Sequence, residues 1–129
     1  MGYEYPDVRE AFWQLTEEPL TDANIAVTPY FHLTVDWTPP AVQLSLLTGV
    51  EGFLERVDRM GVDFYAEGEA AGQLADAFKV RVCGENLTVP GVGLLDVVVA
   101  ETVPHDVPYP SDRINVSSAV YRVTTRPKF

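Results

Sequence analysis

The stretch ERVDRMGVDFYAEGEAAGQLADAFKVRVC, residues 55–83, decides the fold. Its first part puts Met60, Val62 and Phe64 on one side and Arg59 and Asp63 on the other. A two-residue period of this kind predicts a half-buried strand over roughly 55–65. Gly61 inside it marks a bulge or the close approach of another chain segment. The period then changes. Ala71, Leu74, Ala75, Phe78 and Val82 recur at helical spacing and predict a helix over about 67–82. Glu67 and Glu69 at its start, and Lys79 and Arg81 at its end, complement the helix dipole, with Gly84 placed to cap it.

Upstream, Phe31, Leu33, Val35 and Trp37 alternate with His32, Thr34 and Asp36, which predicts a strand over 31–37. After Pro39-Pro40, Val42, Leu44 and Leu46 alternate in a second strand, and Gly49 and Gly52 mark the turn that follows. Residues 6–18 read as a helix: Val8, Ala11, Phe12 and Leu15 share a face, Asp7 and Glu10 lie near its start, and Pro19 stops it. Downstream, Leu95, Val97, Val99 and Val103 predict a strand, and 113–126 a long last one. In that last strand the apolar phase moves from Ile114 and Val116 to Tyr121 and Val123, which predicts a bulge near Ser117-Ser118. The order is α-β-β-β-α-β-β. Residues 1–129 thus read as one α+β domain, a mostly antiparallel sheet of about five strands with two helices packed on one face.

A chain of 129 residues buries enough surface to fold without disulfides or a metal. Cys83 is the only cysteine, which excludes an intrachain bridge and a cysteine-based zinc site. The N-terminal residues lack the basic start and apolar run of a signal peptide, and no apolar run approaches the roughly 20 residues of a membrane span. The net charge of −10 repels phosphate backbones and weighs against sequence-specific nucleic-acid binding.

The chemistry-bearing residues form no catalytic constellation. His32 and His105 are the only histidines; one lies on the polar side of the 31–37 alternation, the other in the Pro-rich segment 104–110. No H-x-x-x-H, C-x-x-C or Asp-rich calcium loop occurs. Gly91-Val92-Gly93 lacks a third glycine and leads into a strand, the wrong context for cradling phosphate. Cys83, at the end of the helical stripe, reads as a small buried hydrophobe. The expectation is therefore a protein without catalytic residues, metal or cofactor, acting through association.

Charge distribution points the same way. From Arg113 to Phe129 there are four bases (Arg113, Arg122, Arg126 and Lys128) and no acid. The acids Glu51, Glu55 and Asp58 cluster elsewhere, interleaved with Arg56 and Arg59. A basic strand on an acidic body suits head-to-tail contact between identical subunits. Arg113, Arg122 and Arg126 are candidate interface residues, with Tyr109, Tyr121, Trp13 and Trp37 as candidate aromatic anchors.

Val62-Asp63-Phe64-Tyr65-Ala66 leading into Ala70-Ala71-Gly72-Gln73-Leu74-Ala75-Asp76-Ala77-Phe78 resembles the centre of the tail terminator proteins of long-tailed bacteriophages. The N-terminal helix, the late strand ending near Pro104 and the final strand from Asp112-Arg113 to Tyr121-Arg122-Val123-Thr124-Thr125-Arg126 agree with that layout. The segment Gly49-Val50-Glu51-Gly52-Phe53 departs from it, being short and acidic where many relatives carry a glycine-rich basic hairpin.

The resemblance implies a virion neck protein, assembled in the host cytoplasm. Such proteins form a ring, usually a hexamer, that caps the tail tube and offers the head a surface for attachment. The implied partners are further copies of the chain, the tail tube protein and a head-completion or connector protein. DNA is only cargo passing through the channel, which Glu51, Glu55 and Asp58 would line, and no membrane is involved. The alternatives are another head–tail connector component (a head-completion or stopper protein), a small ligand-binding or enzymatic α+β domain, or a toxin–antitoxin or secretion-system assembly subunit.

Overall fold

The computed structural model describes residues 4–20 and 25–128. Helix α1 spans Val8–Glu17. The Asp7 carboxylate caps it by accepting hydrogen bonds from the backbone N–H groups of Arg9 (3.0 Å) and Glu10 (3.3 Å). At its other end α1 carries no basic residue of its own. Arg81 fills that role from a distance: its guanidinium donates to the carbonyls of Leu15, Glu18 and Pro19, each at 2.9 Å. Carbonyls that a helix leaves unpaired at its C-terminus are thereby satisfied by a cation, and the two helices are tied together.

Six strands follow the helix: β1 Thr28–Tyr30, β2 Ala41–Glu51, β3 Arg56–Glu67, β4 Gly84–Val89, β5 Gly93–Val107 and β6 Ile114–Thr125. Helix α2, Ala70–Val82, separates β3 from β4. The sheet order is β1-β2-β3-β6-β5-β4. β1 runs parallel to β2, and every other neighbouring pair is antiparallel. The architecture expected from the sequence is corrected here. The sheet has six strands, is mixed, and curls into a half-barrel, in place of a mostly antiparallel five-stranded layer carrying two helices on one face.

Two local readings explain the difference. The alternation over 31–37 forms no strand; the strand nearby is the three-residue β1, just upstream. The alternating residues go to different places. Phe31 packs on Trp13 with ring centroids 4.8 Å apart, Val35 is fully exposed, and Trp37 meets Tyr65 edge-on at 5.3 Å. A period of two describes a strand only where a neighbouring strand accepts its backbone, and 31–37 has none. The missed strand is β4. Its composition reads as turn-like, and Asn86 adopts a left-handed φ of 56°, although the register with β5 is the same on either side of it. Gly84, expected to cap α2, lies one residue past the cap Cys83 with φ 139°.

The core is one cluster. Met60, Val62 and Phe64 of β3 share it with Val42 and Leu44 of β2, Leu95 and Val98 of β5, and Ala119, Tyr121 and Val123 of β6. Phe12 of α1 and Phe78 of α2 stand edge-on to each other at 5.6 Å, and both meet the Tyr121 ring at just under 6 Å, at 5.9 Å and 5.8 Å. Such edge-to-face contacts add to the burial of large apolar area.

The expected bulge near Ser117-Ser118 is absent, because β6 keeps unbroken register with β3 from Ile114 to Thr125. The apolar phase shifts because both faces are covered. Val116 lies opposite Tyr65 on the face away from the core, where Tyr109 packs on Tyr65 at 5.5 Å. The irregularity at Gly61 belongs to its neighbour: β2 shifts register between Leu46 and Thr48, and the extra residue, Leu47, lays its side chain over Gly61.

Candidate functional site

The β2–β3 hairpin is built on an ion pair. Asp58 is 2% exposed, and the Arg56 Nε–H approaches both of its carboxylate oxygens at 3.0 Å. Arg56 also reaches the Glu51 carboxylate through Nη1, at 3.1 Å. Burial acts against the guanidinium charge, but the hydrogen bonds and charges of Asp58, and then of Glu51, outweigh it and raise the Arg56 pKa. A buried carboxylate is tolerated when charge and hydrogen bonds compensate it in this way. Gly49 is part of the arrangement: a Cβ there would lie 2.5 Å from Asp58 Oδ1 and 3.1 Å from Arg56 Nη2. The hairpin thus carries a polar brace close to its turn, where β3 is still paired with β6.

Around the brace the hairpin is apolar. Leu46, Leu47, Val50, Phe53 and Leu54 are all exposed, Val50 at 71% and Leu54 at 61%. Gly52 N–H donates to the Glu55 carbonyl at 2.7 Å, closing the turn that displays them. Five large exposed hydrophobic side chains in nine residues, spread over the hairpin's two faces and its turn, make its end unusually apolar, a property that marks interaction sites. Sequence reasoning missed this surface. The alternation of Val42, Leu44 and Leu46 implies continuous burial, yet the distal half of β2 extends past the helices.

The acids proposed to line a channel separate on this hairpin. Asp58 is sealed beneath Arg56 and cannot face a channel; Glu51 is held by Arg56; Glu55 is exposed and makes no ion pair among the described residues. The candidate interface residues separate too. Tyr121 is 1% exposed at the centre of the core, where burial pushes its pKa well above the usual phenol range. It holds the core together and is not available as a surface anchor. Arg126 forks onto Asp96 at 3.0 and 3.1 Å, and Arg113 lies 3.5 Å from Glu67. Arg122 is exposed and makes no ion pair among the described residues. Tyr109 and Trp37 flank Tyr65, and Trp13 packs on Phe31. Burial, followed by the charge of Asp63 and the neighbouring Tyr109, raises the Tyr65 pKa.

A second surface lies at the other side of the sheet. β4 pairs with β5 only as far as Gly84 opposite Val98. Past that point the outer edge of β5 is uncovered by β4, and an open groove of about 570 Å³ runs along it. Val97, Val99, Ala100 and Val103 line it together with Lys79 and Cys83 from the end of α2. Val103 is 57% exposed. Among the described residues no group of three or more His, Cys, Asp or Glu side chains is placed to hold a metal ion. No helix among them is long and apolar enough to cross a membrane.

Comparison with protein-family models finds no match, and comparison with curated proteins finds none either.

Proposed function

We propose that this chain is a structural assembly protein whose copies form a ring, and that the ring caps a phage tail tube and presents the attachment surface for the head. The observation that carries the assembly reading is the apolar tip of the β2–β3 hairpin. A monomer gains nothing by exposing Val50 and Leu54 to water, whereas a subunit that buries them against a partner gains roughly 25 cal/mol per Å² of apolar area covered. The terminator role rests on the resemblance of residues 55–83 and 94–126 to that family, and the hairpin fits it as a second source of contacts.

The test is electron microscopy of the purified protein, alone and mixed with polymerising tail-tube protein from the same genome. Rings of uniform diameter, or tubes capped and held at one length, are expected. Tubes that grow unaffected, with no rings at any concentration, overturn the proposal. Rings that assemble on the capsid portal and ignore tube ends favour the head-completion alternative.

A further inference from the structure

On the sheet face away from the core, three aromatic rings meet at one residue. Tyr65 of β3 stands between Trp37, from the segment that precedes β2, and Tyr109, from the loop joining β5 to β6. Its ring centroid lies 5.3 Å from that of Trp37 and 5.5 Å from that of Tyr109, with the planes at 61° and 77°. Neighbouring rings therefore meet like walls at a corner and do not stack. Both outer rings are placed by braced backbone. Trp37 N–H donates to the Thr34 carbonyl at 3.3 Å, and Ser111 N–H to the Tyr109 carbonyl at 2.8 Å. Ser111 Oγ in turn accepts from the N–H groups of Arg113 and Ile114, tying the loop to the start of β6. Trp37 and Tyr65 are half-buried and Tyr109 is exposed, so the group keeps part of its surface in water.

A carboxylate stands beside the rings. Asp63 lies two residues before Tyr65, on the same side of β3. None of its neighbours on that side of the sheet is cationic: Gln43 faces it from β2, Ser118 faces it from β6, and Gly61 precedes it along the strand. Asp63 makes no ion pair among the described residues. Burial, and then the charge of Asp63, raises the Tyr65 pKa, which puts the carboxylate within electrostatic reach of that ring. Arg113, which follows Tyr109 in the same loop, lies 3.5 Å from Glu67. Among the described residues one cation lies over an aromatic ring, Arg9 over Phe31, and none lies over these three.

Aromatic faces attract a cation through their quadrupoles, and quaternary ammonium groups are held by rings set at angles to one another. An uncompensated carboxylate adds Coulombic attraction from the side. A bare ammonium holds its water strongly, so surface that must be dried favours an alkylated one. We propose that Trp37, Tyr65 and Tyr109, with Asp63, form a binding site for a methylated ammonium group, carried by a free quaternary amine or by a methylated lysine side chain. The site is separate from the β2–β3 hairpin, and it stands whether or not the chain forms rings.

NMR titration of the full chain tests it, with tetramethylammonium, choline and a short peptide bearing trimethyl-lysine as probes. The N-methyl protons should move upfield under the ring currents. The Trp37 indole N–H should shift with saturation, while that of Trp13, packed on Phe31, stays in place. The carbon isostere of choline, in which a tert-butyl group replaces the trimethylammonium, should bind about tenfold more weakly than choline. Asp63→Asn and Tyr109→Leu should each weaken choline binding several-fold, in variants whose urea midpoints match the wild type. Tighter binding of choline assigns the site to a free amine, and tighter binding of the peptide assigns it to a protein-borne one. Equal affinity for choline and its carbon isostere overturns the proposal, and so does a wild-type chain that shows no saturable shift with any probe. Both comparisons use the unmodified chain, so they decide the matter even where a variant fails to fold.

Discussion

The aromatic centre of the core and the tip of the β2–β3 hairpin use the same kinds of residue for opposite purposes. Phe12, Phe64, Phe78 and Tyr121 are sealed where both helices meet the sheet. Val50 at the end of β2 and Leu54 in the turn that follows it stand in water. The hydrophobic effect acts equally on both sets of side chains. What differs is whether this chain covers its own surface, and the uncovered part is where a partner's contribution is needed. The Arg56–Asp58 ion pair lies within the hairpin end and ties its two strands together without covering Val50 or Leu54.

Substitutions should sort along this division. Phe78→Ala removes a ring that touches Phe12, Phe64 and Tyr121, and it should cost about 3–5 kcal/mol, read as a large fall in the denaturant midpoint. Arg56→Ala leaves the Asp58 carboxylate buried without its cation and should cost about 2–3 kcal/mol. Arg56→Ala/Asp58→Asn should recover part of that loss, because the charge that needed a partner is gone.

Alkaline pH probes the buried Tyr121. Burial holds the Tyr121 pKa above the ordinary 10.0 in the folded chain, so the unfolded chain gives up its proton first. Stability is therefore intact below about pH 10 and falls above it, by about 1.4 kcal/mol per pH unit for one such group. Tyr121→Phe should flatten that slope, as measured by urea midpoints at about pH 9 and about pH 11. A slope unchanged by the substitution would assign it to other groups, Tyr65 foremost.

The smallest effect on stability is expected at the tip. Val50→Ser and Leu54→Ser should each change stability by no more than about 0.5 kcal/mol, because neither side chain is covered in the chain itself. The same two substitutions should abolish association.

The difference between core and tip also marks how much the sequence discloses. The alternation of Met60, Val62 and Phe64 and the helical stripe from Ala71 to Val82 are legible because local period and tertiary burial agree there. The period over 31–37 misleads because Phe31 and Trp37 find aromatic partners on α1 and β3 and leave the backbone without a strand neighbour. β4 is hidden because Gly84 and Asn86 read as turn residues and most of the strand is exposed, so no apolar alternation marks it. The interface candidates chosen by residue type divide the same way. Tyr121 is a core residue, Arg126 is committed to Asp96, and Arg122 alone among the three offers an unpaired charge within the described residues. Exposure of the hairpin tip depends on where the helices stop, a tertiary fact that no local pattern contains.

The most direct measurement compares wild type with Val50→Ser/Leu54→Ser by electron microscopy in the presence of polymerising tube protein, after matching their denaturant midpoints. The account predicts rings or capped tubes of fixed length from the wild type, and free-running tubes with no rings from the equally stable double variant. A double variant that caps tubes as well as the wild type would show that the tip is not the assembly surface.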